Sequence, residues 1–529
     1  MKIEIYDATL REGAQKSGVV FSEYEKKQTA AALDGLGVDY IEYGFFGPAS
    51  AASLIRFAET VKTEHARLSV LCATRRPDIS CEEDETLVSL ASSPIGCVAV
   101  VGKASLFHVK NVLNTDGETN LRMISDTVGF LKQAGKTVIF DAEHFFDGWS
   151  EDPSYSKRVL AAAVSAGADR VVLCDTNGGM LPDVIGLTVE AAIRVTVGVP
   201  VGIHCHNDIG MADACTVSAV LAGASHLQCT VAGIGERCGN ANLTTVVPTL
   251  QLKLGFDCIP AERMAKLSPS ARQICQIANL GFDESSPFVG GHSFRHKAGM
   301  HIDGVRKSAS SFEHIDPGLV GNSRSLIISE LAGRSAMAGI LRRFGFDCPP
   351  DSDAPERVLE AVRAAEATGC QFDSSEASLY LLIARTLGKY ESPFLLKDYK
   401  LIFSAEAELQ SRWTATVKFE IGGRETLSAG EGDGPVNALD IAGHLALSER
   451  FPYIADIKMV DIKARIDSND SAASASIVRV FVEYGDGKSV WRTMGAATDI
   501  IAASWSALLD AYEYCIVSRG PQTEKDRKP

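Results

Sequence analysis

Long apolar runs, paired cysteines and an excess of positive charge are all missing from this chain. Nowhere do 18 apolar residues run uninterrupted, and the opening Met-Lys-Ile-Glu-Ile-Tyr-Asp has no apolar leader core. A membrane span and a secretory route are therefore not expected, and a cytoplasmic location is. There are 13 cysteines but no Cys-x-x-Cys pair. They fall in apolar stretches, as at Cys72, Cys97, Cys174 and Cys229, which is the pattern of reduced buried thiols rather than of a disulfide framework or zinc ribbon. Against 67 Asp plus Glu stand 52 Lys plus Arg, a formal net charge of −15, which argues against a nucleic-acid partner. An anionic small molecule stays compatible, because a few local Arg, backbone N–H groups or a metal can hold one.

What is present is a globular composition, 46% hydrophobic and 22% charged over 529 residues, too long for one core and suited to two to four domains. Short β-rich runs recur: Lys2 to Tyr6, Asp39 to Tyr43, Leu68 to Leu71, Cys97 to Val101, Thr137 to Phe140, Arg170 to Cys174, Val201 to His206 and His226 to Val231. Segments of helical spacing separate them, beginning with Ser22 to Leu36. Strands alternating with helices imply a parallel sheet. Eight such units in this length predict an α/β fold of the (β/α)8 TIM-barrel type, over residues 1–261.

A barrel of this kind carries its chemistry where strands run into the loops that follow them. The polar clusters fall there: Asp7 to Gln15 after the first strand, Glu42 at the end of the second, Asp141-Ala-Glu-His144 after the fifth, and Asp175-Thr-Asn-Gly-Gly179 after the sixth. His204 and His206 on the seventh strand are two apart, so both project to one face. They could be a hydrogen-bonded pair filling that face; with one carboxylate, for which Glu12 is the candidate, they could equally hold a divalent transition metal. Zn, Mn or Co suit such ligands slightly better than Mg, and Asn240 is a candidate weak fourth ligand. Such a metal could chelate a 2-oxo acid, with Arg11 stabilising the oxyanion, unless Arg11 is only a salt-bridge partner of Asp7 or Glu12. Glu143 is either a general base or a strand-end helix cap. The Gly233 loop is not a dinucleotide fingerprint, since it follows the last barrel strand and Arg237 interrupts it; it is expected to bring backbone close and aim Asn240.

Three motifs, Asp7-x-x-Leu-Arg-Glu-Gly-x-Gln15, His204-Cys-His-Asn-Asp208 and Gly233-x-Gly-Glu-Arg-Cys-Gly-Asn-Ala-Asn-Leu243, resemble those of the metal-dependent acyl-CoA condensing and cleaving barrels. That family includes isopropylmalate, homocitrate and citramalate synthases and the hydroxymethylglutaryl-CoA lyases. The likeness continues through His296-Lys-Ala-Gly-Met-His301, His314 to Gly321 and Ser329 to Ser335, which look most like the long citramalate synthases. By this resemblance Arg11 is the catalytic arginine, Glu12, His204 and His206 hold the metal with Asn240 nearby, and Glu143 is the base. Arg11, Glu42, Asp141 and Thr176 are the candidate substrate contacts. His301 matches a histidine that the synthases supply from a linker subdomain to the partner subunit's site, which implies a homodimer. The family's usual tyrosine eleven residues later is Phe312 here, and Glu42-Tyr-Gly-Phe-Phe-Gly-Pro-Ala-Ser50 departs from its usual second loop.

The implied chemistry is condensation of acetyl-CoA with a 2-oxo acid, pyruvate giving (R)-citramalate for isoleucine synthesis, or another 2-oxo acid in the same reaction. A reverse-running lyase fits less well, since lyases are shorter, and no Met-Lys-Met biotin site is present. Residues 262–390 are expected to be linker and helical subdomains, with a Pro-rich break at Pro349 to Pro355. Beyond Tyr399 an internal repeat reads strand, turn, glycine loop, helix, once from Thr414 and again from Val478. It predicts a pseudo-symmetric α/β domain over 391–518 whose glycine loops at helix N-termini suit a small zwitterion, or which only dimerises. By the resemblance that ligand is a feedback amino acid. Residues 519–529 are charged and expected to be disordered.

Overall fold

The structure is a computed structural model that describes residues 1–529 except 297–300, 302–303, 306, 327–333, 350, 373, 406–410, 467–475, 488 and 520–529. All of the expected disordered tail but Arg519, which is ion-paired with Asp486, and most of the Ser329 to Ser335 motif therefore lie outside the described residues. Two compact units result: Met1–Arg295 with Glu313–Ser325, and His296–Phe312 with Leu326–Pro529.

In the first unit eight parallel strands close into a barrel: β1 (Glu4–Asp7), β2 (Tyr40–Phe45), β3 (Arg67–Ala73), β4 (Cys97–Lys103), β5 (Thr137–Glu143), β6 (Arg170–Asp175), β7 (Val201–Cys205) and β8 (His226–Cys229). Closure is direct, with Glu4 opposite His226 and Asp7 opposite Cys229. The eight expected strands are all found, because each is apolar on both faces, as a strand between a filled interior and an outer helical layer must be. Val98, Val100, Val138, Phe140, Val171 and Leu173 face the helices, while Tyr6, Tyr40, Leu71, Ala99, Ile139 and Val172 fill the interior. The first helix, Glu23–Leu36, has Ser22 and Glu25 in a reciprocal capping box at its start and Gly37 at φ 92° at its end, so its limits are local in origin.

Several strand ends move: β4 and β5 run on to Lys103 and Glu143, and β7 and β8 stop at Cys205 and Cys229. Glu42 was expected to end the second strand, yet β2 runs on to Phe45 and Glu42 is wholly buried inside it. The His314 to Gly321 motif packs within the barrel unit, where Ser268 Oγ donates to the Val320 carbonyl at 2.6 Å and Val320 is fully buried.

The second unit contains helices Arg334–Arg343, Ala354–Ala367 and Glu376–Thr386, then two copies of strand-strand-strand-helix. The first copy is Leu395–Ala405, Ser411–Ile421, Arg424–Gly432 and helix Pro435–Ser448; the second is Lys458–Ile466, Val478–Gly485, Val490–Ala497 and helix Ile500–Ser518. Each forms a three-stranded antiparallel sheet, and Val417, Phe419, Leu439, Val480, Val482 and Trp505 share one core. The repeat is as expected, but its glycines are not all loop residues. Gly430 and Gly495 lie inside the third strands, where a Cβ would run into the helix backbone at Ala442 and Ala503. Their role is to let each helix lie close against its sheet. Ile500–Ser518 is long and apolar enough to cross a membrane by length and composition, with 56% of its apolar window buried; Trp505, Leu508 and Tyr512 explain that composition, because they fill this core.

Candidate active site

Period-two alternation decides which side chains meet inside the barrel. Reading inward along β4, β5, β6 and β7, the positions nearest the C-terminal mouth are Val101 and Lys103, Asp141 and Glu143, Cys174, and His204 followed by His206. All of these but Lys103 line a cavity of about 280 Å³ whose lining also includes Arg11, Glu12 and Thr176.

At its floor His204 Nε2 and His206 Nε2 face each other at 3.3 Å, and Glu12 Oε1 is 3.8 Å from His206 Nε2. One donor atom from each of the three lies within 4.8 Å of the others, and all three residues are buried. Burial, then the neighbouring His206, lowers the His204 pKa to about 3, and burial lowers that of His206. Both rings are thus neutral near pH 7 and keep a lone pair for ligation. Burial pushes the Glu12 carboxyl up, but the charged Arg11 guanidinium beside it outweighs burial and holds the carboxyl below its usual value. Asn240, bridged to His206 through the backbone, donates through Nδ2 to the Ile234 carbonyl at 3.2 Å and leaves Oδ1 buried with no hydrogen-bond partner among the described residues. Two neutral imidazoles, an ionised carboxylate and an orphaned carbonyl oxygen are the donor set a divalent cation takes, and donor separations of 3.3 and 3.8 Å can be spanned by two bonds of roughly 2.0–2.2 Å to one centre. The residues therefore fit the metal. The glycine loop does what was expected of it: a Cβ at Gly235 would strike Asn240, and Gly239, at φ 91°, tucks against the Gly233 carbonyl.

Arg11 is paired twice, with Glu12 and, through Nε at 2.5 Å, with Glu42. The salt-bridge reading was therefore right in part, although Asp7 is not the partner; Asp7 accepts from Thr9 instead. Glu42 does not line the cavity. It lies beneath Arg11 and accepts from Tyr6 Oη at 2.9 Å. Burial raises the Glu42 pKa despite Arg11, while Glu42 and Glu12 hold the guanidinium firmly charged.

Asp141 is buried, accepts from Gln228 Nε2 at 2.9 Å, and is pushed up to about 8 by burial and by the Glu42 charge. Glu143 is ion-paired with Lys103 across the ends of β5 and β4. It does not cap the following helix, whose N-cap is His144. Thr176 Oγ1 accepts from His144 N–H at 2.8 Å. His301 belongs to the second unit, where its ring stacks on Phe312 at 4.2 Å between centroids. Sequence reasoning missed Lys103, Gln228 and Tyr6; the period-two rule, applied to every strand rather than to β7 alone, places all three inside the barrel.

The HMGL-like family matches residues 2–280, the homocitrate synthase post-HMGL domain-like family residues 288–369, and the LeuA allosteric (dimerisation) domain residues 373–516. The (R)-citramalate synthase of Aquifex aeolicus (strain VF5) is 41% identical over 516 residues, 97% of each chain. That of Synechocystis sp. is 39% identical, covering 96% of this chain and 95% of the relative. That of Streptomyces coelicolor is 38% identical, covering 98% and 97%. The chain belongs to the (R)-citramalate synthase family of HMGL-like barrels.

Proposed function

We propose that the chain is an (R)-citramalate synthase that joins the methyl carbon of acetyl-CoA to the keto carbon of pyruvate, water then hydrolysing the thioester to release free CoA. The observation that carries this reading is the convergence of Glu12, His204 and His206 on one point of a cavity that also holds Arg11 and Glu143. Glu12, His204 and His206 would hold a divalent cation (Zn, Mn, Co or Mg), with Asn240 Oδ1 beside them, and a cation bound there supplies Lewis-acid polarisation of the acceptor carbonyl. Arg11, fixed by Glu42 and Glu12, donates to the oxygen on which negative charge grows, an effect worth about 3 kcal/mol for a well-aimed donor. Glu143 takes a proton from the acetyl methyl, and Lys103 keeps that carboxylate aimed. Thr176 and Asp141 orient the 2-oxo acid, and Leu71 and Val101 give its methyl an apolar wall. His301 would act in trans, as a proton-transfer group for the partner subunit.

In this reading residues 1–261 are the catalytic barrel, 262–390 the linker that completes the site, and 391–518 the dimerising domain that binds a feedback amino acid. The match of residues 373–516 to the LeuA allosteric (dimerisation) domain supports a homodimer. The same chemistry with a bulkier 2-oxo acid is the second reading, favoured by Phe312, which brings a ring but no hydroxyl to His301. Purified protein, acetyl-CoA and a panel of 2-oxo acids separate the two through release of free CoA thiol, with and without chelator. Release with pyruvate alone supports the first reading, release with 2-oxoisovalerate or 2-oxoglutarate the second. No release with any acid overturns both.

A further inference from the structure

Thr176 is gripped from two sides by residues in strained backbone conformations. His144 and Arg237 are among the non-glycine residues with positive φ, at 57° and 52°, a geometry that strains an L residue and persists only where neighbours over-determine it. They come from different loops and meet on the same threonine. His144 donates its backbone N–H to Thr176 Oγ1 at 2.8 Å, and Arg237 Nη2 donates to the Thr176 carbonyl at 2.7 Å.

Side chains hold both strained residues in place. The His144 ring lies flat on His108, 3.6 Å between centroids and 13° between planes, and its Nδ1 is 3.0 Å from Asp147 Oδ2. The same Asp147 oxygen accepts from Asn177 Nδ2 at 2.9 Å, so it ties His144 to the residue after Thr176. Arg237 lies two-pronged on Asp208, at 2.7 and 2.8 Å.

A hydroxyl oxygen that already accepts an N–H can use its one proton only as a donor in another direction. Thr176 lines the cavity, and among the described residues no protein acceptor is found for that proton. We propose that His144 is a positioning residue, whose left-handed backbone fixes the Thr176 hydroxyl as a hydrogen-bond donor to the bound 2-oxo acid. The proposal rests on the condensing function above and adds how one of its substrate contacts is held.

The test is a double-mutant cycle on His144→Ala and Thr176→Val, with His144→Asn as the conservative variant, reading KM for each substrate, kcat and melting temperature. Thr176→Val is expected to raise KM for the 2-oxo acid roughly tenfold and leave that for acetyl-CoA unchanged, the loss of one directed hydrogen bond. His144→Ala is expected to raise the same KM about fivefold alone but less than about twofold in the Thr176→Val background, since the two act through one contact. Asparagine tolerates the left-handed region and can still bond Asp147, so His144→Asn should return KM to within about twofold of wild type. Should His144→Ala not fold, Asp147→Ala, which removes the ring's hydrogen-bond partner, takes its place with the same expectation. Equal effects of His144→Ala in both backgrounds, a parallel rise in both KM values, or no rescue by asparagine overturns the proposal alone. A wild-type protein that releases no thiol with any 2-oxo acid overturns the functional reading and this proposal together.

Discussion

Glu42 has no solvent and no substrate to answer to, so its replacement isolates how Arg11 is held. Its side chain is wholly buried and that of Arg11 is 10% exposed, with Nε to Oε2 at 2.5 Å. Glu42→Gln keeps the shape and lets the amide oxygen accept from Arg11, while Tyr6 can redirect its hydroxyl to Ser69 Oγ, already 3.1 Å away. What disappears is the negative charge. Removing one member of a buried pair costs about 3–5 kcal/mol, because the other charge stays buried. Here Glu12 still faces Arg11, so the lower figure applies. At about 2 °C per kcal/mol for a unit of this size, melting of the chelator-treated protein should fall by roughly 6 °C. With Glu42 neutral, Arg11 keeps only one charged anchor, Glu12, and its guanidinium is no longer fixed from beneath, so kcat should fall by roughly tenfold or more while KM for acetyl-CoA holds. Thermal melts and a thiol-release assay on one preparation measure both. Melting within about 1 °C of wild type together with an unchanged kcat would refute the reasoning, since Arg11 would then need no counter-charge from Glu42.

Asp141 carries a pH prediction. Its carboxyl is raised from 3.8 to about 8 in the folded chain, so between those values the folded state keeps a proton that the unfolded state has lost, and its contribution to stability falls as pH rises. Asp141→Asn should therefore gain stability over wild type progressively from pH 4 to pH 8 in chelator-treated protein; a constant difference across that range contradicts it. Gly495→Ala would drive a Cβ into the Ala503 carbonyl and should destabilise the second unit by about 1–3 kcal/mol, read as an earlier transition in a denaturant melt; an unchanged midpoint contradicts the close-packing account of that glycine. Lys103→Met unpairs Glu143 and should lower kcat at least about tenfold while leaving metal affinity unchanged; a matching loss of metal would instead assign Lys103 to the metal site.

The barrel was legible because the strands of a closed parallel sheet are apolar on both sides, a pattern that survives in runs such as Cys97 to Val101 without any knowledge of neighbours. His204 and His206 were legible for a related reason, since a spacing of two in a strand defines a face. The hidden parts are those where long-range pairing reverses what a residue type signals locally. A glutamate in an apolar run reads as a strand end, yet Glu42 continues the strand because Arg11 and Tyr6, 31 and 36 residues away in sequence, meet it inside the barrel. A lysine at a strand tip reads as solvated, whereas Lys103 turns inward to Glu143. Glycine reads as a loop, but Gly430 and Gly495 are strand residues, and the reason lies in a helix that follows several residues later. The orphaned Oδ1 of Asn240 and the left-handed backbone of His144 are properties of the folded chain alone.

The central claim is that Glu12, His204 and His206 bind one divalent cation, and calorimetric titration of Mn²⁺ or Zn²⁺ into chelator-treated protein tests it most directly. The account predicts one ion per chain for wild type, and for Glu12→Gln, His204→Ala or His206→Ala a loss of affinity greater than the roughly 10–100-fold that a supporting residue costs. Binding of that ion with unchanged affinity by all three variants would contradict it.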